Sequence, residues 1–428
     1  MKPAVGILSL GCSRNLVDSE AVCGRLFRKG YRITDINEAE IGIVNTCAFV
    51  NDAKRESIDV ILDLIQLKKE GALKKIIVQG CLVQRYGDEL RREFPEVDAF
   101  IGRISPGWCN RAESFRLTPK HYAYLKISEG CLSRCTYCVI PAIKGRFTSV
   151  PENILLSRAA QLDASGSGEI NIIAQDLTAY GRDLEKGITL SSMLEKLARR
   201  CREAKWLRLL YLYPGAEVER VVELMRREKK FCRYVDLPLQ HINARILRLM
   251  GRRNGKDYLL RLIDMIRRRL PDAAIRTTFI VGFPSETERE FRELADFIRD
   301  ARFERLGAFI YSREEGTVAA LMPGQVPEKV KRARFDEIMS LQQGISAEIN
   351  RAMLGRELEV LVEEEASLPP GNALSAASYV YAGRSCYDAP EVDGMVYVKT
   401  RTPLKPGSMV RVRVDGALEY DLTGDVLL

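Results

Sequence analysis

Short apolar runs alternate with helically spaced stretches over most of this chain, and that alternation constrains its fold more than any other feature. A strand–helix–strand unit returns each new strand parallel to the last, so parallel sheets covered by helices are expected. In the first set the strands are Ala4–Leu10, Ile41–Thr46, Lys75–Gln79 and Asp98–Ile101. Helices follow from about Leu16, over Asp52–Lys69 and from about Tyr86. The stretch Arg103–Pro119, with Ser-Pro-Gly and Trp108, reads as a linker. In the second set the strands are Tyr122–Ile127, Ile170–Ala174, Leu207–Tyr211, Val235–Leu237, Ile275–Val281 and Leu306–Tyr311. Six strands between helical patterns predict a partial or full β/α barrel, and Val330–Met353 is a long helix leading out of it.

From Gly355 the texture changes to short alternating strands: Glu357–Glu363, Ala377–Tyr381, Met395–Lys399, Met409–Val414 and Asp421–Val426. Turns at Pro369-Pro370-Gly371 and Pro406-Gly407 separate them, which suits a small all-β barrel. The expected class is α/β, with a parallel-sheet domain over residues 1–115, a TIM-like barrel over 117–346 and an all-β barrel over 350–428.

Eleven cysteines in 428 residues, an odd number in a long chain, do not suit a disulfide scaffold. In a reducing compartment, clustered cysteines bind metal or carry redox chemistry. His121 and His241 are the only histidines, which leaves little for a His-rich metal site. No stretch reaches the ~18 uncharged apolar residues of a membrane helix, and the N-terminal run leads into Gly11-Cys12 without a small-residue cleavage site. A cytoplasmic protein without a membrane partner is expected. The charge is uneven: residues 351–428 carry eight basic and twelve acidic side chains, a net of −4, so residues 1–350 carry +12 and the whole chain +8. A basic body suits a polyanionic neighbourhood such as RNA or the ribosome, and also plain Arg-rich helix faces.

The strongest chemical signal is Gly130-Cys-Leu-Ser-Arg-Cys-Thr-Tyr-Cys138, directly after a strand. Three thiolates on a short loop, Cys131, Cys135 and Cys138, can hold three irons of a [4Fe–4S] cluster and leave the fourth iron open to a ligand. Structural zinc requires four protein ligands, and no fourth Cys or His lies nearby in sequence. A second triplet is scattered: Cys12, Cys47 and Cys81 each follow a predicted strand of the first sheet. Strand ends of a parallel sheet share one edge, where ligands bind, so these three should converge on a second cluster rather than serve as buried apolar residues. Cys23, Cys109, Cys201, Cys232 and Cys386 have apolar or isolated surroundings and receive no chemistry.

Both triplets, with the segments around them, resemble the radical S-adenosylmethionine methylthiotransferases along nearly the whole chain. The matching segments are Ser9-Leu-Gly-Cys-Ser-Arg-Asn15, Asn45-Thr-Cys-Ala-Phe-Val50, Gln79-Gly-Cys-Leu-Val83 and Tyr124-Leu-Lys-Ile-Ser-Glu-Gly-Cys131 through Cys138-Val-Ile-Pro141. Ala174-Gln-Asp-Leu-Thr-Ala-Tyr-Gly181, Pro238-Leu-Gln-His241, Ile280-Val-Gly-Phe-Pro-Ser-Glu286 and Tyr311-Ser-Arg-Glu-Glu-Gly-Thr317 also match. The C-terminal barrel looks like a TRAM domain. Within the family, Gly383–Gly394 is most similar to the members that methylthiolate an aspartate of small-subunit ribosomal protein S-twelve. A net −4 module would repel RNA and attract a basic protein.

The resemblance implies two [4Fe–4S] clusters and S-adenosylmethionine as cofactors, with the ribosomal protein or the small ribosomal subunit as partner, besides an electron donor and a sulfur source. The cluster on Cys131, Cys135 and Cys138 would bind and cleave S-adenosylmethionine, and the resulting radical would take a hydrogen from the aspartate β-carbon. The triplet Cys12, Cys47 and Cys81 would carry the sulfur to be inserted, and a second S-adenosylmethionine would supply the methyl group. Candidate cofactor contacts are Tyr137, between two ligands; Glu169, where the superfamily braces the amino-acid moiety; Gln175 and Asp176, at a strand end; and Gly282, in a turn with Glu286. His241 ends another strand, and no general acid or base is assigned. The rival readings are a tRNA adenosine methylthiotransferase and a zinc-stabilised RNA-binding module without catalysis.

Overall fold

The computed structural model describes residues 2–103, 115–368 and 379–427. Trp108, Cys109 and the Pro369–Gly371 turn lie outside them.

The first unit is a five-stranded parallel sheet, order β2-β1-β3-β4-β5, with β1 Ala4–Ser9, β2 Arg32–Thr34, β3 Ile41–Thr46, β4 Lys75–Gly80 and β5 Ala99–Ile101. Helices α1 Ser13–Arg28, α2 Asn51–Lys69 and α3 Cys81–Glu93 connect the strands. The pairings Ser9↔Asn45, Asn45↔Gln79 and Thr46↔Gly80 bring the C-terminal ends of β1, β3 and β4 level. Strand β2 is absent from the sequence reading; Arg-Ile-Thr is a half-exposed edge strand with too few apolar residues to signal itself.

The second unit holds β6 Tyr122–Lys126, a small hairpin β7 Ser128–Glu129 and β8 Thr148–Ser149, then β9 Glu169–Ile173, β10 Trp206–Leu210, β11 Tyr234–Asp236, β12 Ala274–Val281 and β13 Arg305–Ile310. The sheets β10-β9-β6 and β11-β12-β13 are all parallel. They join between β10 and β11 through the Leu207↔Phe231 bridge and the Leu212 N–H to Asp236 carbonyl bond of 2.9 Å. The result is a six-stranded partial barrel with a seam between β6 and β13. Strands β6, β9, β10 and β11 are buried on both faces, as continuous apolar runs require, whereas the edge strand β13 leaves Phe309 exposed. The helix Glu328–Arg351 packs along β13 and leads to the third unit.

That unit is a closed five-stranded barrel, order β14-β15-β16-β18-β17, with β14 Glu357–Glu365, β15 Tyr379–Ser385, β16 Val396–Thr400, β17 Met409–Ala417 and β18 Leu422–Val426. The loop 385–394 between β15 and β16 inserts into the N-terminal end of the central barrel. Asp388 pairs with Arg305, Glu391 accepts the Tyr122 hydroxyl at 2.9 Å, and Asp393 accepts that of Tyr234 at 2.5 Å. Arg384 joins Glu169 at 2.6 Å and Glu363 at 2.7 Å. This placement narrows the electrostatic reading of an acidic tail: Glu363, Asp388, Glu391 and Asp393 engage cations and hydroxyls of the chain itself, while Glu359, Glu364, Glu365 and Glu419 stay exposed.

Candidate active site

Each cysteine of the first triplet sits where a strand turns into a helix or loop. Cys12 is the residue before α1, Cys47 follows β3, and Cys81 opens α3. Gly11 makes their approach possible. Its φ is +84°, and a Cβ there would fall 2.7 Å from Cys47 Cβ and 2.8 Å from Cys47 Sγ, too close for any other residue. Asn15 staples the three turns. Its Nδ2 donates to the carbonyls of Leu10 (3.0 Å) and Thr46 (3.1 Å), and its Oδ1 lies 3.6 Å from Cys81 Sγ. Ser57 Oγ clasps the Cys47 backbone, accepting its N–H at 3.1 Å and donating to its carbonyl at 3.0 Å. Burial raises the Cys81 thiol to about 12 and pushes Cys47 up as well. Burial also raises Cys12, but Arg14, the Asn15 N–H and Lys144 outweigh it and hold that thiol below its ordinary value.

The second triplet lies on the loop after β7, above the C-terminal mouth of the central barrel. Two thiols receive backbone N–H groups: Ser133 N–Cys131 Sγ is 3.4 Å and Ile140 N–Cys138 Sγ is 3.5 Å. Arg252 Nη1 approaches Cys135 Sγ at 3.9 Å. Donors aimed at sulfur suit thiolate ligands of an iron–sulfur cluster, whose potential such contacts tune. Burial raises the Cys138 thiol to about 12, and a metal would deprotonate it outright. Among the described residues no three His, Cys, Asp or Glu side chains close on one point as a single ion needs. Three thiolates on one cubane bind three different irons and need not meet at one point.

A junction of buried charge joins the domain of the first triplet to the barrel that carries the second. Lys126 pairs with Asp18 and with Glu129 (2.7 Å), while Lys144 pairs with Asp18 (3.4 Å) and Glu129 (3.2 Å). All four side chains are at most 6% exposed, and two cations balance two anions, the condition for keeping charge in a dry interior. Burial alone would raise Glu129, but Lys126 and Lys144 bring it down to about 2. Across the barrel seam, Glu314 after β13 accepts Lys54 of α2 (2.9 Å) and Arg85 of α3 (2.7 Å). The first domain is thus fastened to both edges of the partial barrel and caps its mouth. Lys126 had a sequence signal, a charge inside an otherwise apolar strand. Asn15, Ser57 and Arg252 had none beyond lying in or near the matched segments.

The other candidate residues have varied places. The Tyr137 ring packs edge-on to Phe283 at 6.4 Å in an apolar patch with Met250 and Tyr311. Gln175 is at the mouth, and its Nε2 donates to Glu129 at 2.9 Å. Asp176 caps the following turn through Thr178 N (2.9 Å) and Thr178 Oγ1 (2.6 Å), and it lines a cleft of about 400 Å³ with Leu132, Ser133, Tyr213 and Arg253. Glu169 must be corrected: it starts β9, at the end of the barrel away from the cluster loop, and Arg208 and Arg384 hold its fully buried carboxylate at 2.6 Å each. Gly282 has φ +73°, but a Cβ there would meet Lys331 Cγ at 2.3 Å, so helix packing explains this glycine without a cofactor. Its N–H is taken by Glu286 at 2.8 Å, and Arg334 pairs with that carboxylate at 3.0 Å. His241 is fully buried; its Nδ1 accepts Asn243 N–H at 2.9 Å, and burial lowers its pKa to about 4.

Comparison with known proteins agrees with this layout. Residues 4–102 match the model of the uncharacterized protein family UPF0004, residues 125–298 the radical SAM superfamily, and residues 354–427 the TRAM domain. In solved structures, the radical S-adenosylmethionine methyltransferase TsrM from Kitasatospora setae, with cobalamin and a [4Fe-4S] cluster bound, superposes with a TM-score of 0.54 at 14% identity, covering 84% of this chain and 81% of that one. That likeness concerns the fold alone. The protein named ribosomal protein uS12 methylthiotransferase RimO from Pelotomaculum thermopropionicum is 45% identical over 99% of both chains. Those of the same name from Clostridioides difficile and Geobacter sulfurreducens are each 43% identical, covering 99% and 100% of this chain and 98% and 99% of theirs. With 43–45% identity to these relatives over the full length, and a radical SAM barrel behind a capping domain that carries a second cysteine triplet, the chain belongs to the RimO family of radical S-adenosylmethionine methylthiotransferases.

Proposed function

We propose that this chain methylthiolates the β-carbon of an aspartate in ribosomal protein uS12 (small-subunit protein S-twelve). The observation carrying this reading is the pair of cysteine triplets on two domains with one capped mouth between them, together with relatives named for that protein. Cys131, Cys135 and Cys138 would hold one [4Fe–4S] cluster, and Cys12, Cys47 and Cys81 the other. When bound, the first supplies the electron that cleaves S-adenosylmethionine, and the second supplies the sulfur.

The chain's own residues do the rest. The Ser133 and Ile140 amides and Arg252 donate to the thiols of the barrel loop and orient them. Asn15 and Ser57 hold the opposing turns in one geometry. The balanced charges of Asp18, Lys126, Glu129 and Lys144 and the Glu314 clamp exclude water from the junction and fix its width. Tyr137, Gln175 and Asp176 line the approach to the cluster loop and are the residues we would place against S-adenosylmethionine. A cytoplasmic setting follows from the ribosomal substrate, and no helix among the described residues is long and apolar enough to cross a membrane. The test is a deletion strain: loss of the methylthio group from uS12 supports the reading, and loss from tRNA nucleosides with uS12 unchanged overturns it.

A further inference from the structure

We propose that Arg14 binds the side-chain carboxylate of the target aspartate and selects it against uncharged side chains; this deepens the uS12 reading above and rests on it. Arg14 lies in the first turn of α1, two residues beyond Cys12. Its Nη1 donates to the Ala174 carbonyl at 2.9 Å, at the end of β9, and its guanidinium lies 4.3 Å from the centre of the Tyr211 ring, at the end of β10. One side chain of the capping domain therefore rests directly on the barrel mouth.

Three cations near Arg14 are already paired with carboxylates. Lys126 and Lys144 share Asp18 and Glu129. Arg276 is paired with Asp236 at 3.2 Å and Asp393 at 3.5 Å. Arg252, like Arg14, has no carboxylate at ion-pair distance among the described residues; it donates to the Pro238 carbonyl at 2.8 Å, stacks 4.1 Å from the Tyr213 ring and approaches Cys135 Sγ of the barrel triplet at 3.9 Å, whereas Arg14 is the one of the two that comes from the capping domain. Among the described residues Arg14 has no carboxylate at ion-pair distance, and it bonds the Ala174 carbonyl through Nη1, one nitrogen of a fork that carries five donors.

The seat of Arg14 is built at a conformational cost. Tyr211 has φ +72°, a region disfavoured for a side chain of that size, and Asp236 holds it there by accepting its N–H at 2.8 Å. Asp236 in turn is paired with Arg276. The strain presents an aromatic face beneath the guanidinium, a support that leaves the edge of the planar fork available for a bidentate contact.

The reaction requires a cation at this place. The carbon that loses a hydrogen and gains sulfur must sit between the radical source and the sulfur source, hence between the triplets. In this substrate that carbon carries a carboxylate. A carboxylate brought into a water-poor junction needs a charge-assisted partner, and a guanidinium matches it oxygen for donor.

The test uses the anaerobically reconstituted enzyme without reductant, so that binding is read without turnover. Two fluorescent peptides spanning the uS12 target loop, one with Asp and one with Asn at the target position, are titrated against wild type, Arg14→Gln and Arg14→Lys, with iron content measured in parallel. Wild type should prefer the Asp peptide by about tenfold or more. Arg14→Gln should bind both peptides alike, and Arg14→Lys should recover part of the preference. An undiminished preference in Arg14→Gln, or no preference in wild type, overturns the proposal while leaving the uS12 reading intact. So does equal weakening of both peptides with loss of iron, which would make Arg14 a support for Cys12. Failure of wild type to bind either peptide, together with modification of tRNA in a separate reaction that contains reductant and S-adenosylmethionine, refutes the uS12 reading and this proposal together.

Discussion

Replacing Arg384 by methionine should unfasten the C-terminal barrel from the central one. The Arg384 side chain is fully buried, and its guanidinium meets Glu169 at 2.6 Å, Glu363 at 2.7 Å and the Asp388 carbonyl at 3.0 Å. Removing one member of a buried charge set costs about 3–5 kcal/mol, because the partners stay buried without compensation. Glu169 would keep Arg208, also at 2.6 Å, so the lower end, about 3 kcal/mol, is expected. Arg384→Lys keeps a charge but loses the fork, and should cost about half as much. Trp206 reports on this junction, since it packs with Leu361 and Ala389 in one apolar cluster. Urea unfolding followed by its fluorescence, in a Trp108→Phe background, should show the transition at lower urea, with faster hydrogen exchange over residues 385–394. A change below about 0.5 kcal/mol, the scale of a surface substitution, would refute the claim that this network locks the domains.

Three further outcomes follow from the same structure. His241 stays neutral in the fold, with its pKa lowered to about 4, while the unfolded chain protonates it near 6.5; wild type should therefore lose up to ~3 kcal/mol as pH falls through that window, and His241→Gln should not show this loss, whereas an identical acid limb would contradict it. Gly11→Ala, with a Cβ 2.8 Å from Cys47 Sγ, should retain about half the iron after anaerobic reconstitution, and a full complement would show that the first triplet does not need this close approach. Cys135→Ala should keep its circular dichroism and lose cleavage of S-adenosylmethionine; full cleavage would refute the assignment of the barrel triplet.

The layout of strands was legible because parallel strands buried on both faces read as continuous apolar runs, and Ile41–Thr46 was placed to the residue. Strand β2 escaped because three half-exposed residues carry no pattern. The convergence of Cys12, Cys47 and Cys81 followed from topology alone, since level strand ends bring their successors together. What sequence could not disclose was partnership between distant residues. Glu169 read as a cofactor contact because its neighbours resembled one, yet its partner Arg384 lies 215 positions away. The acidic C-terminal residues read as a surface for a basic protein, but several are turned inward onto Arg305, Tyr122 and Tyr234. Arg14 lay within a matched segment, but its seat on Ala174 and Tyr211 appears only when two domains are assembled.

The central claim is best tested by anaerobically reconstituting the enzyme with iron and sulfide. It is then incubated with S-adenosylmethionine, a reductant and a uS12 target peptide, and the peptide is read by mass spectrometry beside a parallel tRNA reaction. Two [4Fe–4S] clusters per chain, and a methylthio group replacing one hydrogen on the peptide's aspartate, are predicted. Zinc in place of iron, or an unmodified peptide beside methylthiolated tRNA, would contradict it.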